Sequence, residues 1–239
     1  MSLIGDLRIL FHMLTAQAGT GADHKERLEA FYRGQRNAYD DFRKRLLHGR
    51  ERLMQMLPLP EKGGTLMDMG GGTGSNIEAL GKRIQNLDHV EIVDLCESLL
   101  EIAKERIESN QWTNVRAVCA DATKYTPISA PDAITFSYSL TMIPDWFTVI
   151  DKAYESLKPG GVIGVVDFYV SRKWPDHGMK KHSAWTRGFS YDNVFLSPEH
   201  LPYLMKKFHP IMIEEWRGTV PYIPGMKAPY YLFIGRKLV

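Results

Sequence analysis

The sequence has few cysteines, no long apolar run and little net charge. Its two cysteines, Cys96 and Cys119, show neither metal-ligand spacing nor a disulfide pattern, so we expect no metal site and a reducing, cytoplasmic compartment. No stretch reaches the roughly 18 apolar residues that a transmembrane helix needs. The net charge of +2 is too small to indicate a nucleic-acid partner.

The length and composition suit one α/β domain with additions. The chain has 239 residues, of which 44% are hydrophobic. We divide it into an amphipathic N-terminal helix within residues 1–22 and a main domain over 23–239, with an insertion at about 171–200. Residues 3–14 carry apolar side chains at helical spacing, and either pack on the domain or lie on a membrane surface. Their polar face has few lysines or arginines, which favours packing.

A glycine-rich turn is the most informative stretch. Leu66, Met67 and Met69 indicate a short buried strand that carries Asp68. Four glycines follow within five residues: Gly70, Gly71, Gly72 and Gly74. Asn76 comes next, and a helical pattern then places apolar residues on one face: Ile77, Leu80, Ile84 and Leu87. A strand, a glycine turn and a helix begin a nucleotide-binding βαβ unit, because glycine allows the backbone to approach a ligand closely.

The spacing of the glycines decides which nucleotide is expected. The dinucleotide pattern G-x-G-x-x-G fails because Ile77 stands at its third position. A phosphate-binding P-loop requires Lys-Ser/Thr, whereas Ser75 and Asn76 follow Gly74. What remains, an acid followed by Gly-Gly-Gly-x-Gly, resembles the first motif of class I S-adenosylmethionine-dependent methyltransferases. S-adenosylmethionine has no phosphate, which agrees with the missing lysine.

Two further acids follow predicted strands. Asp94 ends the second strand, roughly 20 residues after the glycines, where a carboxylate accepts hydrogen bonds from ribose hydroxyls. An N-cap role is the alternative, since Ser98 and Glu101 have capping-box spacing. The resemblance assigns Asp121, after the third strand, to the adenine amino group. The predicted cofactor site also includes the neighbours Leu95 and Ala122, and Ser137 where the fourth strand (132–140) ends.

The resemblance also implies the fold. We expect a Rossmann-like α/β sheet of seven strands, mostly parallel with an antiparallel last strand, and an N-terminal helical extension. Tyr39 and Arg50, which precede the glycine strand, are candidates to bind the methionine carboxylate of the cofactor. The alternative for these two residues is that they are ordinary solvent-exposed helix side chains.

Several stretches resemble one family more narrowly, the methyltransferase component of betaine-lipid synthesis. They are residues 31–35, 39–40, 47–50, 68–76, 137–144, 167–170, 194–198, 220–224 and 229–231. The resemblance implies trimethylation of the amine of diacylglyceryl-homoserine to diacylglyceryltrimethylhomoserine. It also implies a separate headgroup-transferring synthase that supplies this lipid. Residues 3–14 then become a candidate anchor of a cytoplasmic enzyme that is peripheral at the membrane surface.

An amine acceptor calls for particular side chains. The third methylation creates a permanent cation, which aromatic faces stabilise, and the amine must lose its proton before attack. Tyr138 and Tyr169 stand at predicted strand ends, and Asp167 is the candidate acceptor of the proton. The alternative for each tyrosine is core packing.

Three other functions compete with this hypothesis. A methyltransferase for another small or lipophilic acceptor, such as a quinone precursor or an ethanolamine phospholipid, is the runner-up. A nucleic-acid methyltransferase is disfavoured, because residues 137–140 lack the Asn/Asp-Pro-Pro-Tyr/Phe motif and there is no basic patch. A dehydrogenase-like binding module is disfavoured by the failed dinucleotide pattern.

Overall fold

A computed structural model describes residues 26 and 29 and the ranges 44–170, 196–221, 225 and 227–238. The predicted helix over 3–14, Tyr39 and most of the predicted insertion lie outside these residues. No helix in the described part of the chain is long and apolar enough to cross a membrane.

The core of the fold is one seven-stranded sheet with the spatial order β3-β2-β1-β4-β5-β7-β6. The strands are β1 (Thr65–Met69), β2 (His89–Asp94), β3 (Val115–Cys119), β4 (Ala133–Ser137), β5 (Val162–Phe168), β6 (His209–Thr219) and β7 (Lys227–Arg236). Strands β1 to β5 pair in parallel, and β7 is antiparallel to both β5 and β6. The predicted seven-stranded arrangement with an antiparallel last strand is confirmed.

The parallel pairing brings several strand ends to one edge of the sheet. Met69 of β1 lies beside Val93 of β2 and Phe136 of β4, so the glycine turn, Asp94 and the end of β4 meet there. Every residue of β4 and β5 is buried, as expected for strands covered on both faces. The fourth strand is shorter than predicted, because the chain leaves the strand conformation at Tyr138, whose φ is 55°.

Helices cover both faces of the sheet. The α-helices whose two ends are described are α1 (Arg50–Met56), α2 (Ser75–Glu78), α3 (Glu97–Ser109), α4 (Trp146–Ser156) and α5 (His200–Lys207). Apolar residues of α4 and α5 pack into one core cluster, and those of α1, α2 and α3 pack on the opposite face. Gly49 precedes α1 with a φ of 81°, in the left-handed region that favours glycine.

Two predicted helix features were wrong. The helix after the glycine turn stops at Glu78, and a 3-10 helix over Gly81–Asn86 follows. Gly81 interrupts the helix with a φ of 55°, yet the four apolar residues of the predicted face remain buried. The predicted capping box at Ser98 is also wrong, because α3 begins at Glu97 and places Ser98 inside the helix.

The packing of α1 on β5 gives a test of the core. Leu53 of α1 is fully buried and lies against Gly164 of β5, where a Cβ on the glycine would come 3.0 Å from Leu53 Cδ1. We expect Leu53→Ala to lower the free energy of unfolding by about 2–5 kcal/mol, because it leaves a cavity. Met56 on the same helix is 46% exposed. Met56→Ala should change the free energy of unfolding by less than about 0.5 kcal/mol, and urea titrations of both variants measure the difference. Equal losses in the two variants would contradict the packing described.

Candidate active site

The glycine turn is shaped by contacts with the ends of two neighbouring strands. Gly70 and Gly74 have φ values of 68° and 71°, in the left-handed region that favours glycine. The backbone N–H groups of Gly70 and Gly71 donate to the carbonyl of Val93, at 2.7 and 3.1 Å. A Cβ on Gly70 would collide with the side chain of Ser139 in the segment after β4. The turn is therefore held closely between β2 and β4.

A buried polar network ties this turn to its surroundings. Asp68 is fully buried, and its two carboxylate oxygens accept hydrogen bonds from Thr135 Oγ1 at 2.7 Å and Asn76 Nδ2 at 3.1 Å. Arg50 Nε donates to Asn76 Oδ1 at 2.7 Å, and another guanidinium nitrogen donates to Ser75 Oγ. Burial raises the pKa of Asp68 to about 6, although Thr135, Asn76 and the charge of Arg50 act in the opposite direction. Arg50 is thus part of the turn's support and not an ordinary solvent-exposed side chain.

Asp94 connects the end of β2 with the glycine turn. Its Oδ2 accepts a hydrogen bond from the Gly72 N–H at 2.8 Å, and its Oδ1 accepts one from the Cys96 N–H at 2.9 Å. The residue that precedes α3 is Cys96, so the alternative of an N-cap role for Asp94 was wrong. A carboxylate oxygen can accept more than one hydrogen bond, so Asp94 can bind these two amides and also contact a ligand.

A cavity of about 250 Å³ opens beside Asp94. The described residues that line it are Gly70, Gly72, Asp94, Leu95, Leu99, Ala120, Asp121, Ala122, Thr123, Tyr138, Ser139, Met142, Ile143, Pro144 and Asp145. Two carboxylates stand on one part of its wall and apolar side chains on another. This combination suits a nucleoside, whose sugar offers hydroxyl donors and whose base has flat apolar faces.

Asp121 is held as a carboxylate at the cavity wall. Its Oδ1 accepts hydrogen bonds from the N–H and the hydroxyl of Thr123, at 2.9 and 2.7 Å. Partial burial alone would raise the pKa of Asp121, but the hydrogen bonds from Thr123 outweigh it and hold the pKa below its usual value. Asp121 is therefore ionised at neutral pH and can accept a hydrogen bond from an amino group.

Tyr138 adopts an unusual backbone conformation at the same wall. Its φ of 55° is uncommon for a residue with a large side chain, and such conformations concentrate at functional sites. The hydroxyl donates to the His48 carbonyl at 2.7 Å, and the ring meets Phe168 edge-on at 4.6 Å between centroids. Burial raises the pKa of Tyr138 well above its usual value, with a further contribution from Asp167.

The structure places Asp167 behind the cavity wall. Its fully buried carboxylate accepts hydrogen bonds from the Thr141 hydroxyl at 2.7 Å, the Thr141 N–H at 3.2 Å and the Phe168 N–H at 2.8 Å. Burial raises the pKa of Asp167 to about 7, while these donors act to lower it. Asp167 therefore fixes the segment that contains Ser139 and Met142, two residues of the wall.

Tyr169 lies farther along the same strand end. Its hydroxyl donates to Glu215 Oε2 on β6, and its ring meets Tyr231 of β7 at 5.3 Å between centroids. Neither Asp167 nor Tyr169 is among the described residues that line the cavity, and Ser137, also predicted, is not among them either. The predicted roles of Asp167 and Tyr169 at the amine stay predictions.

Sequence reasoning missed the partners that hold these side chains. Thr135 stands directly beside Asp68 in the β1–β4 register, and Thr141 and Glu215 come from segments far along the chain. Correct alignment of β1 with β4 would have indicated Thr135. Among the described residues, no group of three His, Cys, Asp or Glu side chains is placed to hold a metal ion.

Comparison with known proteins places this site in a family. The model of the ubiE/COQ5 methyltransferase family matches residues 39–187, which include the glycine turn, Asp94 and Asp121. The chain belongs to the ubiE/COQ5 methyltransferase family. The fold and the lining of the cavity agree with that assignment.

Curated relatives of this family match only part of the chain. The UbiE ubiquinone/menaquinone biosynthesis C-methyltransferase of Hydrogenovibrio crunogenus is 29% identical over 108 residues, 44% of this chain and 42% of that protein. The demethylmenaquinone methyltransferase of Listeria welshimeri is 27% identical over 108 residues, 45% of this chain and 46% of that protein. The chain thus matches less than half the length of these relatives.

Solved structures share the fold over most of the chain. Phosphoethanolamine N-methyltransferase 2 of Haemonchus contortus, in complex with phosphomonomethylethanolamine and S-adenosylhomocysteine, has a TM-score of 0.73 and 18% identity and covers 91% of this chain and 61% of its own. The N-methyltransferase NodS of Bradyrhizobium japonicum, with S-adenosylhomocysteine, has a TM-score of 0.66 and 13% identity and covers 90% and 99%.

S-adenosylmethionine is the cofactor of this ubiE/COQ5 family member, and the cavity fits its nucleoside. We propose that the ribose hydroxyls donate to the carboxylate of Asp94 where it lines the cavity, and that the adenine lies between Leu95 and Met142 with its amino group toward Asp121. In the same proposal, the glycine turn and Arg50 contact the methionine part of the cofactor. The cofactor supplies an activated methyl group when it is bound, and the residues described would hold and orient the cofactor.

The ribose role of Asp94 gives a test of cofactor binding. In Asp94→Asn an amide nitrogen would face the Gly72 or Cys96 N–H, and a charged acceptor for the ribose is lost. We expect the Kd for S-adenosylhomocysteine to rise at least about 10-fold, in line with the 1.5–3 kcal/mol of a hydrogen bond to a charged group. Asp88→Asn is the matched control. Asp88 is exposed and directly precedes β2, whereas Asp94 is the last residue of that strand. An Asp94→Asn variant that binds like Asp88→Asn in calorimetry would exclude the assignment.

Proposed function

We propose that this methyltransferase trimethylates the amine of diacylglyceryl-homoserine to give the betaine lipid diacylglyceryltrimethylhomoserine. The observation that carries the proposal is the wall around Tyr138. Tyr138 is one of the residues that line the cofactor cavity, and the charge of Asp167 contributes to the raised pKa of Tyr138. An aromatic face with a carboxyl behind it favours an acceptor that becomes a cation.

The chemistry of N-methylation uses such a wall at each step. The methyl group moves by in-line displacement, so the nitrogen must be aligned with the sulfonium and must be unprotonated. After the first and second methylation, the nitrogen can still lose a proton. The third methylation produces a quaternary ammonium ion, whose positive charge is permanent. The side chains of Tyr138 and Asp167 are suited to stabilise this charge as it develops.

The solved structures add support of a general kind. The Haemonchus contortus protein is an N-methyltransferase and holds a monomethylated amine, and NodS is also an N-methyltransferase. Both are less than 25% identical to this chain, so they support only the compatibility of the fold with amine acceptors. The same proposal has two further parts. Residues 3–14 contact the membrane surface, and a separate headgroup-transferring synthase supplies the substrate.

A quinone precursor is the second candidate acceptor. The curated relatives carry the names of quinone-pathway methyltransferases, and the UbiE protein is named a C-methyltransferase. Methylation at carbon proceeds through an electron-rich ring that carries negative charge. The buried carboxyl of Asp167 behind the wall disfavours such charge, which is the reason for placing the amine first.

The choice between acceptors is tested by product mass. The purified full chain is incubated with labelled S-adenosylmethionine and vesicles that contain diacylglyceryl-homoserine, demethylmenaquinone or phosphatidylethanolamine. We expect the homoserine lipid to gain three methyl groups, and the Asp94→Asn variant to lose this activity. If demethylmenaquinone or phosphatidylethanolamine gains methyl groups and the homoserine lipid gains none, the betaine-lipid proposal is wrong and the methylated compound is the acceptor.

The aromatic wall makes a second prediction about the products. Tyr138→Leu removes the ring and keeps an apolar side chain, whereas Tyr138→Phe keeps the ring and loses only the bond to the His48 carbonyl. We expect Tyr138→Leu to lower the ratio of the trimethylated to the monomethylated lipid about 2- to 30-fold, since a cation–π contact contributes about 0.5–2 kcal/mol. Tyr138→Phe should keep the wild-type ratio. The same ratio in both variants would exclude the ring as a stabiliser of the cation.

A further inference from the structure

Helix α3 begins without a good capping residue of its own. Cys96 precedes the helix and makes no side-chain capping hydrogen bond among the described residues. A thiol is a weak acceptor, and serine, threonine, aspartate and asparagine are the residues that usually take this position. The first N–H groups of the helix therefore need an acceptor from elsewhere.

Glu29 provides that acceptor from a distant part of the sequence. Its Oε1 accepts hydrogen bonds from the Glu97 N–H at 2.6 Å and from the Ser98 N–H at 3.4 Å. Slight burial would raise the pKa of Glu29, but the hydrogen bonds from Ser98 and Glu97 outweigh it and lower the pKa. The carboxylate is ionised at neutral pH, and its negative charge suits the positive end of the helix dipole.

The amides that Glu29 binds adjoin the cofactor cavity. Leu95 and Leu99 line the cavity on either side of them, and Asp94 already binds the Cys96 N–H. Two carboxylates thus share the backbone of this short segment. Asp94 holds its first part, and Glu29 holds its second part at the start of α3.

We infer that Glu29 is a positioning residue for the cofactor: it caps α3 and thereby fixes the cavity wall formed by Asp94, Leu95 and Leu99. Nothing in the motifs of the sequence assigns this role to Glu29. The inference rests on the cofactor site and is independent of the acceptor, because S-adenosylhomocysteine binding needs no acceptor. A failure of the betaine-lipid proposal therefore leaves it unaffected.

The test compares Glu29→Ala and Glu29→Gln with Glu26→Ala in the full chain. Glu26 is also in helical conformation and is exposed, which makes it a matched control. By calorimetry, we expect Glu29→Ala to raise the Kd for S-adenosylhomocysteine about 5-fold, the effect of losing a cap. Glu29→Gln keeps a neutral acceptor and should lie between Glu29→Ala and the wild type. Glu26→Ala should bind like the wild type.

A second substitution separates capping from a general loss of structure. Cys96→Ser places a hydroxyl at the capping position, and we expect it to restore most of the affinity in a Glu29→Ala background. Circular dichroism verifies that each variant is folded at the temperature of the titration. An unchanged Kd in folded Glu29→Ala, or a weakened Kd that Cys96→Ser does not restore, would overturn the inference.

Discussion

The buried carboxylate of Asp68 is the interaction on which the site depends. It joins β1 to β4 through Thr135 and to α2 through Asn76. Asn76 in turn accepts a hydrogen bond from Arg50 of α1. A buried carboxylate without partners is strongly unfavourable, so these four elements must assemble together. The glycine turn lies between Asp68 and Asn76, and one hydrogen bond between those two side chains fixes both of its ends.

The same principle recurs along the carboxyl edge of the sheet, where acids bind backbone N–H groups and hold loops in place. Asp94 binds the amides of Gly72 and Cys96, Asp121 binds that of Thr123, and Asp167 binds those of Thr141 and Phe168. Asp94 and Asp121 also face the cavity, whereas Asp167 is enclosed. Asp94 and Asp121 are therefore placed to contact a ligand directly, whereas Asp167 supports the wall from behind.

The sequence predicted the parts of the molecule that are encoded locally. The glycine turn and the position of Asp94 at the end of β2 follow from short patterns of spacing and hydrophobicity. The seven-stranded fold followed from the family resemblance of the glycine turn. The 3-10 helix after Glu78 was missed because one glycine interrupts a pattern that is helical by apolar spacing alone. Glu29 and Thr135 were missed because their roles depend on contacts 68 and 67 residues apart.

The same difference separates the predicted cofactor contacts from the predicted acceptor contacts. The predicted cofactor contacts come from residues just after β1, β2 and β3, where short motifs indicate them. The surroundings of Tyr138 depend on contacts with His48, 90 residues away, and those of Tyr169 depend on Glu215, 46 residues away. Relatives that share the cofactor motif therefore need not share the acceptor, because residues outside the motif surround these two tyrosines.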